Sequence, residues 1–181
     1  MPERYMKYGQ ELKRRIKMIS IQKVEYEQKS ILRNLLELYK YDFSEFDPND
    51  DINSNGLYEY RYLDHYWTEE KRYPFFIMVD DKLAGFALVR SLRENEINHT
   101  IYSMAEFFVL KKYRKLRVGQ TVAHKLFDKF SGIWKVAQIE ANTPAQEFWR
   151  KTIEKYTNGN YKEIREDNWE GPIQTFSTAN Q

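Results

Sequence analysis

The sequence predicts one mixed α/β domain, of the α+β kind in which helices flank a mixed sheet. Three observations predict it. Apolar runs of strand length form a meander between Tyr73 and Leu110. Two amphipathic helical patterns follow, Gln120 to Phe130 and Thr143 to about Tyr156, with a strand-like run between them. No internal repeat or linker-like stretch divides residues 18–181, and the chain of 181 residues is long enough for one substantial core.

Each element has its own signal. Residues 1–17 are polar and basic, with Tyr5, Tyr8 and Leu12 spaced for one side of a short helix; the expectation is a loosely docked N-terminal extension or leader. Met18 is a natural start for the core. Ile19, Ile21 and Val24 suggest a first strand, and Ile31, Leu32, Leu35, Leu36 and Tyr39 recur at helical spacing. Residues 41–58 mix acids, aromatics and turn formers and read as a loop. Tyr58 to Trp67 reads as a short aromatic helix. Tyr73–Val79 and Leu83–Val89 read as strands of a hairpin turning at Asp80, Asp81 and Lys82.

Ile101–Leu110 is the long fourth strand. The helix after it carries Val122, Ala123, Leu126, Phe127 and Phe130 on one face, with Gly132 where it would stop. Ile133–Glu140 is the next strand. Thr143 looks like an N-cap, with Pro144 at the first helical position and Gln146 completing a capping box. Tyr161–Ile164 and Ile173–Phe176 are closing strands. The order is βα(α)βββαβαββ.

Composition narrows the chemistry. Net charge is +2, which gives no bulk attraction to nucleic acid or membrane. There is no cysteine, which excludes disulfides, thiolate metal sites and a cysteine-bound acyl intermediate. The three histidines, His65, His99 and His124, lack metal-ligand spacing, so no metal is expected. No apolar run approaches membrane-spanning length and no signal peptide is visible, so a cytoplasmic protein is the expectation.

The most informative stretch is Lys111-Lys112-Tyr113-Arg114-Lys115-Leu116-Arg117-Val118-Gly119-Gln120, between the fourth strand and the next helix. A basic strand-to-helix loop ending in glycine is an anion receptor. The helix start offers unpaired N–H groups and a positive dipole end, and successive loop amides can form a nest for phosphate oxygens. Glu106, just upstream, would by simple alternation share a face with Met104 and Phe108, and a carboxylate among apolar neighbours calls for a partner or a task.

With that order of elements, these residues resemble the GNAT superfamily of acyl-CoA-dependent N-acyltransferases, and the chain is similar to bacterial acetyltransferases. The family's phosphate signature is Gln/Arg-x-x-Gly-x-Gly/Ala; Arg114-x-x-Arg117-x-Gly119 occupies it, with Arg117 in place of the first glycine. A second signature appears as Asn142, Ala145, Phe148 and Trp149. The resemblance spans roughly Ile19 to Phe176 and is strongest from Ala105 to Tyr161.

The resemblance implies a mostly antiparallel central sheet, opened by a splay between the strands ending near Val109 and Glu140. It implies acetyl-CoA as cosubstrate, with its pyrophosphate on the main chain of Arg114, Lys115, Leu116, Arg117, Val118, Gly119 and Gln120. Arg117 is expected at ordinary φ, its guanidinium adding a phosphate contact. Backbone groups of Phe107, Phe108 and Val109 would pair with the pantetheine arm and polarise the thioester, near Asn142, Ala145 and Trp149. Glu106 takes the general-base position. Trp149 stands where an acidic tyrosine is usual, and Tyr156 is the candidate substitute.

The segment Asp42 to Tyr66 corresponds to the acceptor region, with Asp42, Glu45 and Tyr66 as candidate substrate contacts. Acids with tyrosines suit a cationic amine. The reaction implied is direct acetyl transfer to a primary amine of a small molecule or peptide in a ternary complex. The alternatives are a non-catalytic acetyl-CoA sensor or scaffold, motivated by Arg117 and Trp149, and a nucleic-acid module, which the charge balance opposes. No nucleic acid and no membrane are expected as partners; a homodimer is compatible with the family.

Overall fold

A central hairpin organises the chain. Strands β2 (Arg72–Val79) and β3 (Lys82–Glu94) are joined by Asp80 and Asp81, whose φ values of 47° and 61° give the double left-handed turn that matches strand twist. A computed structural model describes residues 16–94 and 100–179 of the chain. Around the hairpin lie β1 (Ile19–Lys23), β4 (Thr100–Val109), β5 (Ile133–Ala137), β6 (Lys162–Glu166) and β7 (Trp169–Ser177). The sheet order is β1-β2-β3-β4-β5-β7-β6, and only the β4–β5 pairing is parallel.

The sheet buries both faces, which is why β2 and β3 read as continuous apolar runs rather than alternations. On one face Phe75, Ile77, Val89, Met104 and Trp134 pack under α3 (Val118–Lys129) and α4 (Thr143–Thr157). On the other, Phe76, Phe86, Leu88 and Phe108 pack under α1 (Lys29–Phe43) and the short α2 (His65–Thr68). Leu32, Leu35 and Leu36 of α1 supply the i, i+3, i+4 stripe that seats it.

Several sequence expectations are corrected here. The aromatic helix expected over Tyr58–Trp67 forms only at His65–Thr68. Strand β5 ends at Ala137, short of Glu140; beyond it the chain passes Gly171, where a Cβ would lie 2.0 Å from the Gln138 carbonyl oxygen. The N-cap of α4 is Asn142, not Thr143: its side chain accepts the Ala145 N–H at 3.1 Å. Gln146 donates instead to the Ile139 and Glu140 carbonyls.

Tyr5, Tyr8 and Leu12 lie outside the described residues. The end of the predicted extension is tied down: the Lys17 and Met18 N–H groups donate to Asp80 Oδ1 at 3.0 and 2.8 Å.

Candidate functional site

Strand β4 positions the site through two irregularities. The first is a bulge. Leu88 pairs with Glu106 and Val89 with Met104, leaving Ala105 as the extra residue. The bulge reverses the parity of the strand. Met104 faces the α3/α4 core, whereas Glu106 and Phe108 face α1. Simple alternation, which put Met104 and Glu106 on one face, is therefore overturned.

The second irregularity is a splay. Strands β4 and β5 pair only at Ile101–Ser103 against Ile133–Lys135, and diverge from Met104 onward. The Leu110 N–H donates to the Ala84 carbonyl across β3 at 2.8 Å. By strand alternation, the backbone groups of Phe108 and Glu106 also face β3, and those of Phe107 and Val109 face the gap. Of the three residues expected to offer their backbone, Phe108 is thus committed to the ladder. The Val109 carbonyl accepts Arg114 Nε at 2.7 Å, so its N–H is the group left toward the gap.

The basic loop follows. Among the described residues, no backbone carbonyl accepts the N–H groups of Lys115 through Gln120; the first bonded amide is that of Thr121, which donates to the Arg117 carbonyl at 3.0 Å. Lys115 and Arg117 both hold left-handed backbone, at φ 61° and 65°. The ordinary φ expected at Arg117 is therefore wrong. Left-handed residues on either side of Leu116 curl successive amides into a concave nest, and each non-glycine residue there costs about 1 kcal/mol. Leu116 and Val118 anchor the loop in the core, while the Lys115 and Arg117 side chains are exposed.

Gly119 is required for packing. A Cβ there would lie 3.1 Å from the Phe148 ring and 3.5 Å from Phe107. Phe107 stacks on Phe148 at 6.0 Å and meets Trp149 edge-on at 5.0 Å. Trp149 is 6% exposed and belongs to the core, with Ala145 packed beside it.

Glu106 sits across from α1. Its Oε2 accepts the Tyr39 hydroxyl at 2.5 Å and its Oε1 accepts the Tyr60 hydroxyl at 3.0 Å. Burial raises the Glu106 pKa, and the two phenol bonds oppose that rise without cancelling it. Tyr39 and Tyr60 are in turn raised well above the phenol range, first by burial and then by the neighbouring carboxylate. Tyr66 is buried, and among the described residues its hydroxyl has no hydrogen-bond partner of acceptable geometry. Its pKa is pushed up to about 12, by burial and then by Glu106. Sequence reasoning missed Tyr39 and Tyr60 as partners of Glu106. Tyr39 had a signal, because a tyrosine on the apolar face of a helix must find a partner for its hydroxyl. Tyr60, in irregular chain, had none.

Other candidates lie elsewhere. Tyr156 donates to Asp128 at 2.8 Å and packs against His124, Phe127 and Phe176. Phe176 pairs with Trp134, where β4 and β5 are still joined. Helix α4 runs from the open end of the splay to its closed end, so Tyr156 sits about 20 Å along the helix from Asn142. The structure does not bring it to Glu106. Asp42 pairs with Arg114 and, at 3.1 Å, with Lys111. Burial raises its pKa, but the bonds from Arg114 and Lys111 outweigh burial and hold it below the usual value. Glu45 is exposed and has no partner among the described residues.

Among the described residues there is no group of three or more metal-ligating side chains, and no helix is long and apolar enough to cross a membrane.

The sequence profile of the Acetyltransferase (GNAT) family matches residues 32–153. No curated protein sequence matches the chain. The fold is similar to an acetyltransferase from Thermus thermophilus, with a TM-score of 0.66 and 9% identity, covering 90% of this chain and 98% of that one. It is similar to a GNAT-family acetyltransferase from Staphylococcus aureus, with a TM-score of 0.58 and 16% identity, covering 88% and 99%. It is also similar to the PaiA N-acetyltransferase of Thermoplasma acidophilum, solved with coenzyme A, with a TM-score of 0.58 and 13% identity, covering 89% and 99%. At these identities the likeness is one of fold.

Proposed function

The chain belongs to the acetyltransferase (GNAT) family, and from that premise we propose that it moves an acetyl group from acetyl-CoA to a primary amine by direct transfer. The observation that carries the proposal is the coincidence of two features at one end of β4. The strand edge is opened at Phe107 and Val109, and a few residues on begins the run from Lys115 to Gln120 whose N–H groups have no backbone acceptor among the described residues. An extended thioester arm fits the first and a pyrophosphate the second. Coenzyme A in the complex with the Thermoplasma protein is consistent with this reading.

The residues divide the work as follows. Lys115–Gln120 bind phosphate oxygens through their amides, and the exposed Lys115 and Arg117 add charge for a further phosphate. Phe107 pairs its backbone with the arm, and the Val109 N–H polarises the thioester carbonyl and meets the charge that develops there. Asn142 keeps its Oδ1 on the α4 cap and presents its amide N–H groups. Glu106 receives the proton the amine must lose. The amine nitrogen bonds to the acetyl carbon, the carbon–sulfur bond breaks, and coenzyme A, whose thiol is acidic enough for its conjugate base to leave, departs as the thiolate. The second proton, lost by the nitrogen as it becomes an amide, passes to water, and water protonates the thiolate. Tyr156 has no part in this.

Calorimetric titration with acetyl-CoA and with dephospho-coenzyme A tests the cofactor site. Micromolar binding, weakened without the 3′-phosphate, is expected; no binding overturns the proposal. Thiol release in the presence of amines tests the chemistry. Binding without any release across primary amines would make the chain a non-catalytic acetyl-CoA sensor.

A further inference from the structure

A cavity of about 260 Å³ lies between α1 and the segment 58–63, lined in part by Arg33, Lys40, Tyr58, Tyr60 and Leu63. Glu106 is not part of its wall. Both carboxylate oxygens of Glu106 are taken by phenols, Oε2 by Tyr39 and Oε1 by Tyr60. Tyr39 is wedged in an aromatic cluster with Phe43, Phe86 and Phe108, which fixes it as an orienting group. Tyr60 is different. It is the residue that both lines the cavity and donates to Glu106, at 3.0 Å. Beside it the buried Tyr66 hydroxyl approaches Tyr60 without completing a well-formed hydrogen bond among the described residues, so the polar cluster can rearrange where it meets Tyr60.

We propose that this cavity receives the acceptor amine and that Tyr60 is a catalytic residue, relaying the proton from the amine to Glu106. The proposal rests on the acetyl-transfer reading above. An ammonium in the cavity donates to the Tyr60 oxygen. In one concerted step its proton passes to that oxygen, while the phenol proton passes to Glu106 Oε1. The products are a neutral amine, an unchanged tyrosine and a protonated Glu106, and no tyrosinate is formed. That route suits a phenol beside a carboxylate, where a free tyrosinate is strongly disfavoured. After transfer the proton returns to solvent by the reverse path. Lys40 does not compete for this role, since it is paired with Asp50 at 2.6 Å.

The test compares the wild type, Tyr60→Phe and Tyr39→Phe on two primary amines. Benzylamine is protonated at neutral pH; 2,2,2-trifluoroethylamine is already neutral there. Thiol release is followed with each, and calorimetry with acetyl-CoA checks that every variant is folded and binds the cofactor. The relay predicts that Tyr60→Phe loses about 100-fold or more in kcat with benzylamine and less than about tenfold with trifluoroethylamine, because only the first amine needs a proton removed before attack. Tyr39→Phe should change the two rates by the same factor. Equal losses on both amines in Tyr60→Phe would reduce Tyr60 to a structural role and overturn the relay, as would full retention of the benzylamine rate. A wild type that binds acetyl-CoA and releases no thiol with either amine would overturn the amine-transfer reading itself, and the relay with it.

Discussion

Two segments of this molecule carry dense charge, and they use it differently. From Lys111 to Gln120 the groups that count are backbone amides, and those of Lys115 to Gln120 have no acceptor among the described residues. From Asp42 to Tyr66 the groups that count are side chains, and most are engaged within the fold. Asp42 holds Lys111 and Arg114, Asp50 holds Lys40, and Glu59 accepts from Asn53. A helix start cannot satisfy its own first N–H groups, so an anion site built there stays available. Side chains on flexible stems find partners, and a count of acids in a loop is then a poor guide to the charge offered to a ligand. The acidic contact for a cationic amine expected at Asp42 is, in the structure, a tie between α1 and the basic loop after β4.

The comparison is broken most widely by separating turnover from binding. Glu106→Gln should lose about 10²- to 10⁴-fold in kcat and leave acetyl-CoA affinity unchanged by calorimetry. Unchanged turnover would remove Glu106 from the chemistry. The same variant carries a sign on stability. The folded pKa of Glu106 lies above its unfolded value, so its ionisation opposes folding as pH rises through the folded pKa. The variant should therefore be at least as stable as the wild type at neutral pH in urea titrations. Any advantage should vanish below the ordinary carboxylate range, where both states of the wild type are protonated.

Next in size is Gly119→Val. It drives a branched side chain against Phe148 and Phe107 and should cost about 1–3 kcal/mol of stability. It should also weaken acetyl-CoA binding about tenfold or more, since the loop must shift to admit it. Unchanged affinity would mean that the amides of this loop do not hold the cofactor.

Asp42→Asn sharpens the contrast at smaller scale. The ion pairs are partly exposed, so about 0.5–1 kcal/mol should be lost at neutral pH. Because the folded pKa of Asp42 is depressed, that contribution exists above the unfolded value and disappears as pH falls through the folded one. Denaturation of the two proteins across that range should show the curves converging at the acid end. The smallest effect belongs to Arg117→Gly. Removing the Cβ from a residue at φ 65° should gain up to about 1 kcal/mol in thermal unfolding, and a loss would show that the guanidinium matters more to the fold than the backbone strain does.

The order of elements was legible because each has a local cause. Leu32, Leu35 and Leu36 stripe α1, and two adjacent aspartates mark the β2–β3 turn. The basic loop after β4 was legible for the same reason, being a contiguous stretch whose open amides lie within the same few residues. Partnerships across the fold were not. Tyr39 and Tyr60 are 67 and 46 residues from Glu106 in sequence; the apolar helix face under Tyr39 says that its hydroxyl needs a partner but not which one, and nothing local to Tyr60 says even that. Tyr156 looked available on helical spacing alone, yet the direction of α4 carries it to the closed end of the splay.

The sequence by itself determined the kind of element at most positions, the place of the basic strand-to-helix loop and the presence of a lone carboxylate in β4, since these depend on spacing along the chain. Only the tertiary structure decided which way that carboxylate faces, through a single extra residue at Ala105 that reverses the parity of the strand. It also decided which charges remain for a ligand, because a side chain's availability depends on every partner that folding brings within reach.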